Sequence, residues 1–184
     1  MRQDFESMLS DHIASVGAID AAGVRRMADA VVAALRGGGK VLACGNGGSA
    51  ADAQHFAAEL VVRFESDGRR ALPALALAAD ASVLTAAGND LGYGSVFSRS
   101  VEAFGKSGDI LLCLSTSGRS ENVLRALRTA KSLGMLTAAI TGEGESPILG
   151  ESDYGIAIRG RTARVQEGTI LVLHYLASAI DAAF

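Results

Sequence analysis

The 184-residue chain has only two cysteines, only two prolines and no marked excess of either charge. Two thiols cannot build the disulfide framework of a small secreted scaffold. Cys44 and Cys113 each lie inside an apolar run, where a thiol behaves as a small buried hydrophobe. The prolines, Pro73 before the second predicted strand and Pro147 in the loop after the fourth, leave every predicted helix uninterrupted. Against 20 Asp and Glu stand 17 Lys and Arg, a formal charge of -3, so the basic footprint of a nucleic-acid or anionic-membrane binder is missing. The longest uncharged stretches, such as 71–79 and 169–180, fall well short of the ~20 apolar residues of a membrane-spanning helix. The opening MRQDFESMLSDHIASVG carries Asp4, Glu6 and Asp11 and shows no apolar core followed by a small-residue cleavage site. These absences predict a cytoplasmic protein with reduced thiols and with neither nucleic-acid nor membrane partners.

What the chain does have is 49% hydrophobic residues and 22 glycines that punctuate them. At ~150 residues per domain the length predicts one domain over 1–184, with N-terminal helices in 1–36 and a sheet core plus C-terminal helix in 37–184. Short apolar runs at 40–44, 74–78, 109–115, 136–141 and 154–158 read as strands. Amphipathic stretches at 5–16, 21–35, 49–64, 81–87, 94–104, 119–133 and 164–183 read as helices. Strands alternating with helices predict an α/β fold, a doubly wound five-stranded parallel sheet covered on both faces. The run Gly37-Gly38-Gly39 and Gly134 stand where helices must stop, the position at which a left-handed residue is easiest.

Two loops stand out, Gly45-Asn46-Gly47-Gly48-Ser49-Ala50 after the first strand and Ser115-Thr116-Ser117-Gly118-Arg119-Ser120 after the third. Each joins an apolar strand to a helix, the place where open α/β sheets bind ligands. Glycine lets the backbone approach, hydroxyls add donors, and a helix N-terminus favours an anion, so phosphate is the natural ligand. Helix capping and chain turning alone would also produce such loops. Gly45, Gly47 and Ala50 satisfy the G-x-G-x-x-A form of the dinucleotide fingerprint. That reading needs an acidic residue at the end of the second strand, whereas Glu65 falls after a helix and before the strand, out of reach of a ribose.

The helix after the first loop places His55 and Glu59 four residues apart on one face. Such a pair can ligate a divalent metal, act as an acid–base couple, or simply decorate a helix surface. The C-terminal helix carries Gln166, Glu167 and His174, the histidine in an otherwise apolar stretch. Gln166 and His174 are eight residues apart, ~12 Å along the axis, so they can share one ion only with both side chains stretched or across chains. Spacing does not choose between Gln166 and Glu167 as the inward residue. His12, in the polar N-terminal helix, looks incidental.

With GNGGSAADAQHFAAEL, AAGNDLGYGSVFSR, LSTSGRSENV and VQEG…LH in this order, residues 38–183 resemble the sugar isomerase (SIS) domain family. The resemblance implies a sheet of flavodoxin-like topology, a homotetramer with active sites at subunit contacts, and one zinc ion per subunit. It implies aldose–ketose isomerisation of sedoheptulose 7-phosphate to D-glycero-D-manno-heptose 7-phosphate through an enediol. By position the catalytic residues fall on Glu59 and His174, and the zinc ligands on His55, Glu59, Gln166 and His174. Substrate contacts fall on Asn46, Gly47, Gly48 and Ser49 in the first loop, with Glu59 and Gln166 beside them. Further contacts fall on Asn89 and Asp90, and on Ser115, Thr116, Ser117 and Ser120. Arg63 matches a family arginine whose role is open. The chain departs from the family at Thr169, often histidine in relatives, in a shortened 159–164 segment, and in Arg69-Arg70-Ala71-Leu72-Pro73, where an arginine–proline pair is usual. Two other readings share the fold: a non-catalytic adaptor that binds a replication initiator, and an isomerase of a different sugar phosphate. The apolar surface of the Ala-rich N-terminal helical pair also predicts an oligomer.

Overall fold

The structure, a computed structural model, describes residues 4–184; residues 1–3 of the N-terminal reading lie outside the described residues. Two helices come first, α1 (Phe5–Gly17) and α2 (Ala21–Arg36). Both start on an aspartate: Asp4 accepts the Ser7 N–H at 2.7 Å and Asp20 accepts the Ala22 N–H at 3.0 Å, satisfying donors that a helix start leaves unpaired.

Five parallel strands follow: β1 (Val41–Gly45), β2 (Ala74–Ala76), β3 (Ile110–Ser115), β4 (Leu136–Gly142) and β5 (Tyr154–Ile158), in the order β2-β1-β3-β4-β5. The expected parallel sheet and its doubly wound order are thus present. Strand β2 is shorter than the apolar run 74–78 suggests. Leu77 N–H still donates to Ala43 O at 2.8 Å, but Ala79 N–H turns back onto Ala76 O and bends the chain out of the sheet.

Side chains alternate between the two faces with a period of two. Val41, Ala43, Ile110, Leu112 and Leu114 pack with α2, with α3 (Gly48–Val61) and with α8 (Thr162–Asp181). Leu42, Cys44, Leu111 and Cys113 pack on the opposite face with α5 (Val96–Phe104) and α6 (Glu121–Ser132). The register sets Cys44 directly opposite Cys113 across β1 and β3, both free thiols and both buried. Burial of each large side chain contributes about 1.5–3 kcal/mol, which is why apolar runs and not intrinsic propensities located the strands.

The elements differ from expectation at several ends, each for a local reason. Helix α3 stops at Val61 because the Arg69 guanidinium takes its last carbonyls, donating to Glu59 O at 2.6 Å and Leu60 O at 2.8 Å. Helix α4 (Ala81–Asp90) runs three residues past the predicted end, and the 94–104 stretch divides into a 3-10 turn at Tyr93–Ser95 followed by α5. Helix α6 starts at Glu121 rather than 119 because Ser120 holds an extended backbone, φ −62° and ψ 115°. Pro147 is not in a loop: it opens α7 (Pro147–Glu151), where Ser146 Oγ accepts the Leu149 N–H. Five residues are too few to show a helical period. Gly134 holds the left-handed φ of +72° that its place after α6 requires.

Candidate active site

The chain steps from β1 outward to β2 and then returns to the other side of β1 to form β3. Loops leaving the carboxyl ends of β1 and β3 therefore diverge and leave a crevice between them. The two glycine- and serine-rich loops are these loops. At the first, Gly45 ends β1 so close to α3 that a Cβ there would stand 2.8 Å from the Ser49 backbone. Gly47 follows with φ +56° and Ser49 is buried in the first turn of α3.

At the second loop, Ser120 starts α6 without lending its side chain to the helix. Its Oγ lies instead 3.1 Å from Ser115 Oγ, and Ser117 Oγ is 3.5 Å from the same atom. Three hydroxyls thus gather over the positive end of a 12-residue helix. Thr116 O accepts the Gly142 N–H and ties the loop to β4. Arg119 turns away, its Nε donating to Glu145 O at 3.0 Å.

The facing loops are joined. Asn46 Nδ2 donates to Asn122 Oδ1 and Asn122 Nδ2 donates to Asn46 Oδ1, both at 2.9 Å. Tyr93, in the 3-10 turn, donates its hydroxyl to Asn46 Oδ1 at 3.0 Å. Asn89 and Asp90, at the exposed end of α4, bond to each other at 2.7 Å, and Tyr93 carries the link from this segment to the first loop. A concavity of about 480 Å³ at the β2 edge, lined by Leu77, Val83 and Phe104, contains none of the expected site residues.

Helices α3 and α8 lie side by side and bring three of the expected residues together. His55 Nε2 is 3.3 Å from Glu59 Oε1 and 3.1 Å from His174 Nε2. Between the two rings one nitrogen must carry a hydrogen and the other a lone pair. The Phe64 ring stacks on His174 at 5.4 Å between centroids. One turn earlier on α3, burial pushes the Asp52 carboxyl above the usual carboxylate range, opposed in part by His55.

Gln166 is placed elsewhere, its amide so close to Gly48 that a Cβ there would meet Nε2 at 2.4 Å. Gly48 and His55 are seven residues apart on α3, about 10 Å along its axis, so Gln166 does not join the histidines within the chain. The question between Gln166 and Glu167 is answered by α1. Glu167 accepts from Arg164 at 2.6 Å and pairs with His12 Nδ1 at 2.7 Å, which turns it away from α3. His12 is therefore not incidental: it fastens α1 to α8.

Arg63 pairs with Asp67 on the surface. Arg69 is buried, and besides the α3 carbonyls its Nε donates to Asp181 Oδ1 at 2.6 Å. Asp181 Oδ2 accepts the Glu65 and Ser66 N–H groups, both at 2.8 Å, so this pair binds the end of α8 to the end of α3 and to the loop between α3 and β2.

Among the described residues no group of three or more His, Cys, Asp and Glu side chains forms a metal cage. The donor chemistry nonetheless suits zinc, which takes imidazole and carboxylate ligands. Ligands 2.0–2.1 Å from a tetrahedral ion stand about 3.3–3.4 Å from one another. His55 keeps nearly that separation from both Glu59 and His174.

Asn122 and Tyr93, both bonded to Asn46, are not among the residues expected from the sequence. Asn122 occupies the same stripe of α6 as the buried Ala126 and Ala130, and a polar residue on an apolar stripe was the available signal.

The SIS domain description matches residues 4–142. The chain is 44% identical over 180 residues to a phosphoheptose isomerase of Campylobacter concisus, covering 97% of this chain and 92% of that one. It is 49% identical over 161 residues to one of Chlorobaculum parvum, covering 86% and 77%. Among solved structures, phosphoheptose isomerase GmhA from Neisseria gonorrhoeae superposes with a TM-score of 0.87 at 40% identity over 96% of each chain. A phosphoheptose isomerase from Francisella tularensis superposes with a TM-score of 0.88 at 37% identity, covering 97% of this chain and 94% of that one.

Proposed function

The chain belongs to the SIS domain family, and from that premise we propose that it is an aldose–ketose isomerase converting sedoheptulose 7-phosphate to D-glycero-D-manno-heptose 7-phosphate. The observation that carries the reading is the meeting of α3 and α8, where Glu59 and His174 flank His55 on the helix that begins at the first loop.

The reaction moves one proton from C1 to C2 and one from O1 to O2 by way of an enediol. Glu59 takes the C1 proton and returns it to C2. His174 serves the oxygens, giving a proton to O2 as the enediol forms and receiving the O1 proton as the aldehyde closes. General acid–base groups of this kind contribute about 10²–10⁴-fold each. The Ser115, Ser117 and Ser120 hydroxyls and the start of α6 hold the phosphate, and that anchoring positions the reacting carbons.

Zinc would be held by His55, Glu59 and His174 and, when bound, polarises the sugar oxygens. A metal-bound carboxylate is a weaker base, so an exchangeable ion suits the double role of Glu59. Gln166, placed against Gly48, would complete the ligand set from a second copy of the chain. Assembly into a tetramer fits the apolar side chains that α1 and α8 leave in water, Phe5 72% exposed, Ile13 60% and Leu171 49%. Residence in the cytoplasm fits two thiols kept free, and no helix among the described residues is long and apolar enough to cross a membrane.

The test is incubation of the purified protein with sedoheptulose 7-phosphate, the aldose being followed by NMR. Glu59→Gln and His174→Gln should each lower turnover at least 100-fold with an unchanged melting temperature. Turnover close to wild type in either variant removes that residue from its role. No turnover by the wild type, with or without zinc, would favour the adaptor reading, against which Glu59 and His174 now stand. Faster turnover of a hexose ketose phosphate would replace the substrate. Metal analysis should find zinc in the wild type and less in His55→Gln.

A further inference from the structure

We propose that Asn122 is a positioning residue that turns Asn46 into a donor-only contact for the sugar phosphate; this rests on the isomerase reading of the same site. A backbone N–H can only donate, so the Val123 N–H, 3.0 Å from the Asn122 amide, fixes the atom it meets as Oδ1. The other terminal atom of Asn122 is then Nδ2, which donates to Asn46 Oδ1. Asn122 Oδ1 takes the Asn46 Nδ2 hydrogen as its second bond. The orientation of both amides therefore follows from one main-chain group.

Asn46 Oδ1 receives the Asn122 amide at 2.9 Å and the Tyr93 hydroxyl at 3.0 Å, which uses both of its lone pairs. One hydrogen on Asn46 Nδ2 is spent on Asn122 and one is left. In the crevice between the loops the Asn46 side chain can offer substrate a single N–H and no acceptor. Its partner must be an oxygen lone pair of the sugar or its ester. A ligand that presents only a hydroxyl hydrogen at this point is refused, because no lone pair is left to receive it.

Asn122 is itself 4% exposed and sits in the first turn of α6, so it connects the phosphate-side loop to the sugar-side loop without touching the reacting carbons. A neutral donor to a sugar oxygen binds ground state and transition state alike. Losing its alignment raises KM and leaves kcat nearly unchanged. A merely structural defect would reduce the fraction of active enzyme and so lower kcat at constant KM.

The experiment is a double-mutant cycle on wild type, Asn122→Ala, Asn46→Ala and the double variant, with kcat and KM for sedoheptulose 7-phosphate. Asn122→Ala should lower kcat/KM about 10- to 100-fold, the loss carried by KM. In the Asn46→Ala background the same change should cost less than about twofold, because Asn122 acts only through Asn46. Losses that multiply, or a fall in kcat at constant KM, would overturn the proposal. Should Asn122→Ala fail to fold, Tyr93→Phe carries the same test. Tyr93 is 62% exposed, and the variant removes one donor from Asn46 Oδ1. It should raise KM about 3- to 10-fold, and only where Asn46 is present. A wild type that turns over no ketose phosphate overturns the isomerase reading and this proposal with it, whereas multiplying losses in an active enzyme overturn the positioning role alone.

Discussion

Replacing Asp181 by asparagine tests what holds the two functional helices together. The Arg69–Asp181 pair is sealed, the side chains being 1% and 8% exposed, and the change leaves the guanidinium without its counter-charge. Removing one partner of a buried ion pair costs about 3–5 kcal/mol, since the remaining charge stays out of water. For a chain of this size that corresponds to a fall in Tm of about 6–20 °C. Glu102→Gln supplies the control: the Arg99–Glu102 pair is 66% and 50% exposed, and breaking it should cost under about 1 kcal/mol. The pH dependence has a definite sign. Burial raises the Asp181 carboxyl, but the Ser66 N–H, Arg69 and the Glu65 N–H outweigh it and hold the group below its ordinary value. A carboxyl depressed in the folded state contributes stability that is complete above its unfolded value, near pH 4, and is lost as pH falls through the folded value. The wild-type advantage over Asp181→Asn should therefore be level above about pH 5 and shrink below about pH 4. Urea unfolding at fixed protein concentration across pH 3–8 reads both quantities. A gap under about 1 kcal/mol at pH 7, or one that does not narrow in acid, would refute the argument.

Two further changes probe the loops. In Gly45→Ala the new methyl group stands 2.8 Å from Ser49 main-chain atoms, which cannot move aside without shifting the start of α3. Stability should fall by about 1–3 kcal/mol and KM should rise, and unfolding within about 0.5 kcal/mol of wild type would contradict the packing. Ser120→Ala removes a hydroxyl 3.1 Å from Ser115 Oγ. KM and the inhibition constant of inorganic phosphate should rise together by about tenfold; a change in KM alone would move the phosphate elsewhere.

The strands were legible because a parallel strand covered on both faces must be apolar throughout, and glycine marks where each one ends. Helix ends were less so, since they depend on distant groups: no local signal announces that Arg69 will take the carbonyls of Glu59 and Leu60. The same holds for His12 and Glu167, which meet across 155 residues of sequence. Proximity of His55 to Glu59 followed from helical spacing, whereas the approach of His174 depends on how α8 packs on α3. Asn122 went unnoticed because it follows the serine loop directly and reads as one more polar residue there; only the buried Ala126 and Ala130 on its stripe reveal that it points inward.

The cross-strand pair of sulfur atoms has a practical corollary. A hydrogen bond to Cys44 and deep burial push the Cys113 thiol well above the ordinary range, so its nucleophilic form is suppressed, and Cys44 shares the same enclosure. Maleimide reagents should leave the native fold unmarked. A Glu102→Cys variant would then accept a single fluorophore or spin label, and assembly and substrate-induced motion could be followed by spectroscopy without first deleting either natural sulfhydryl.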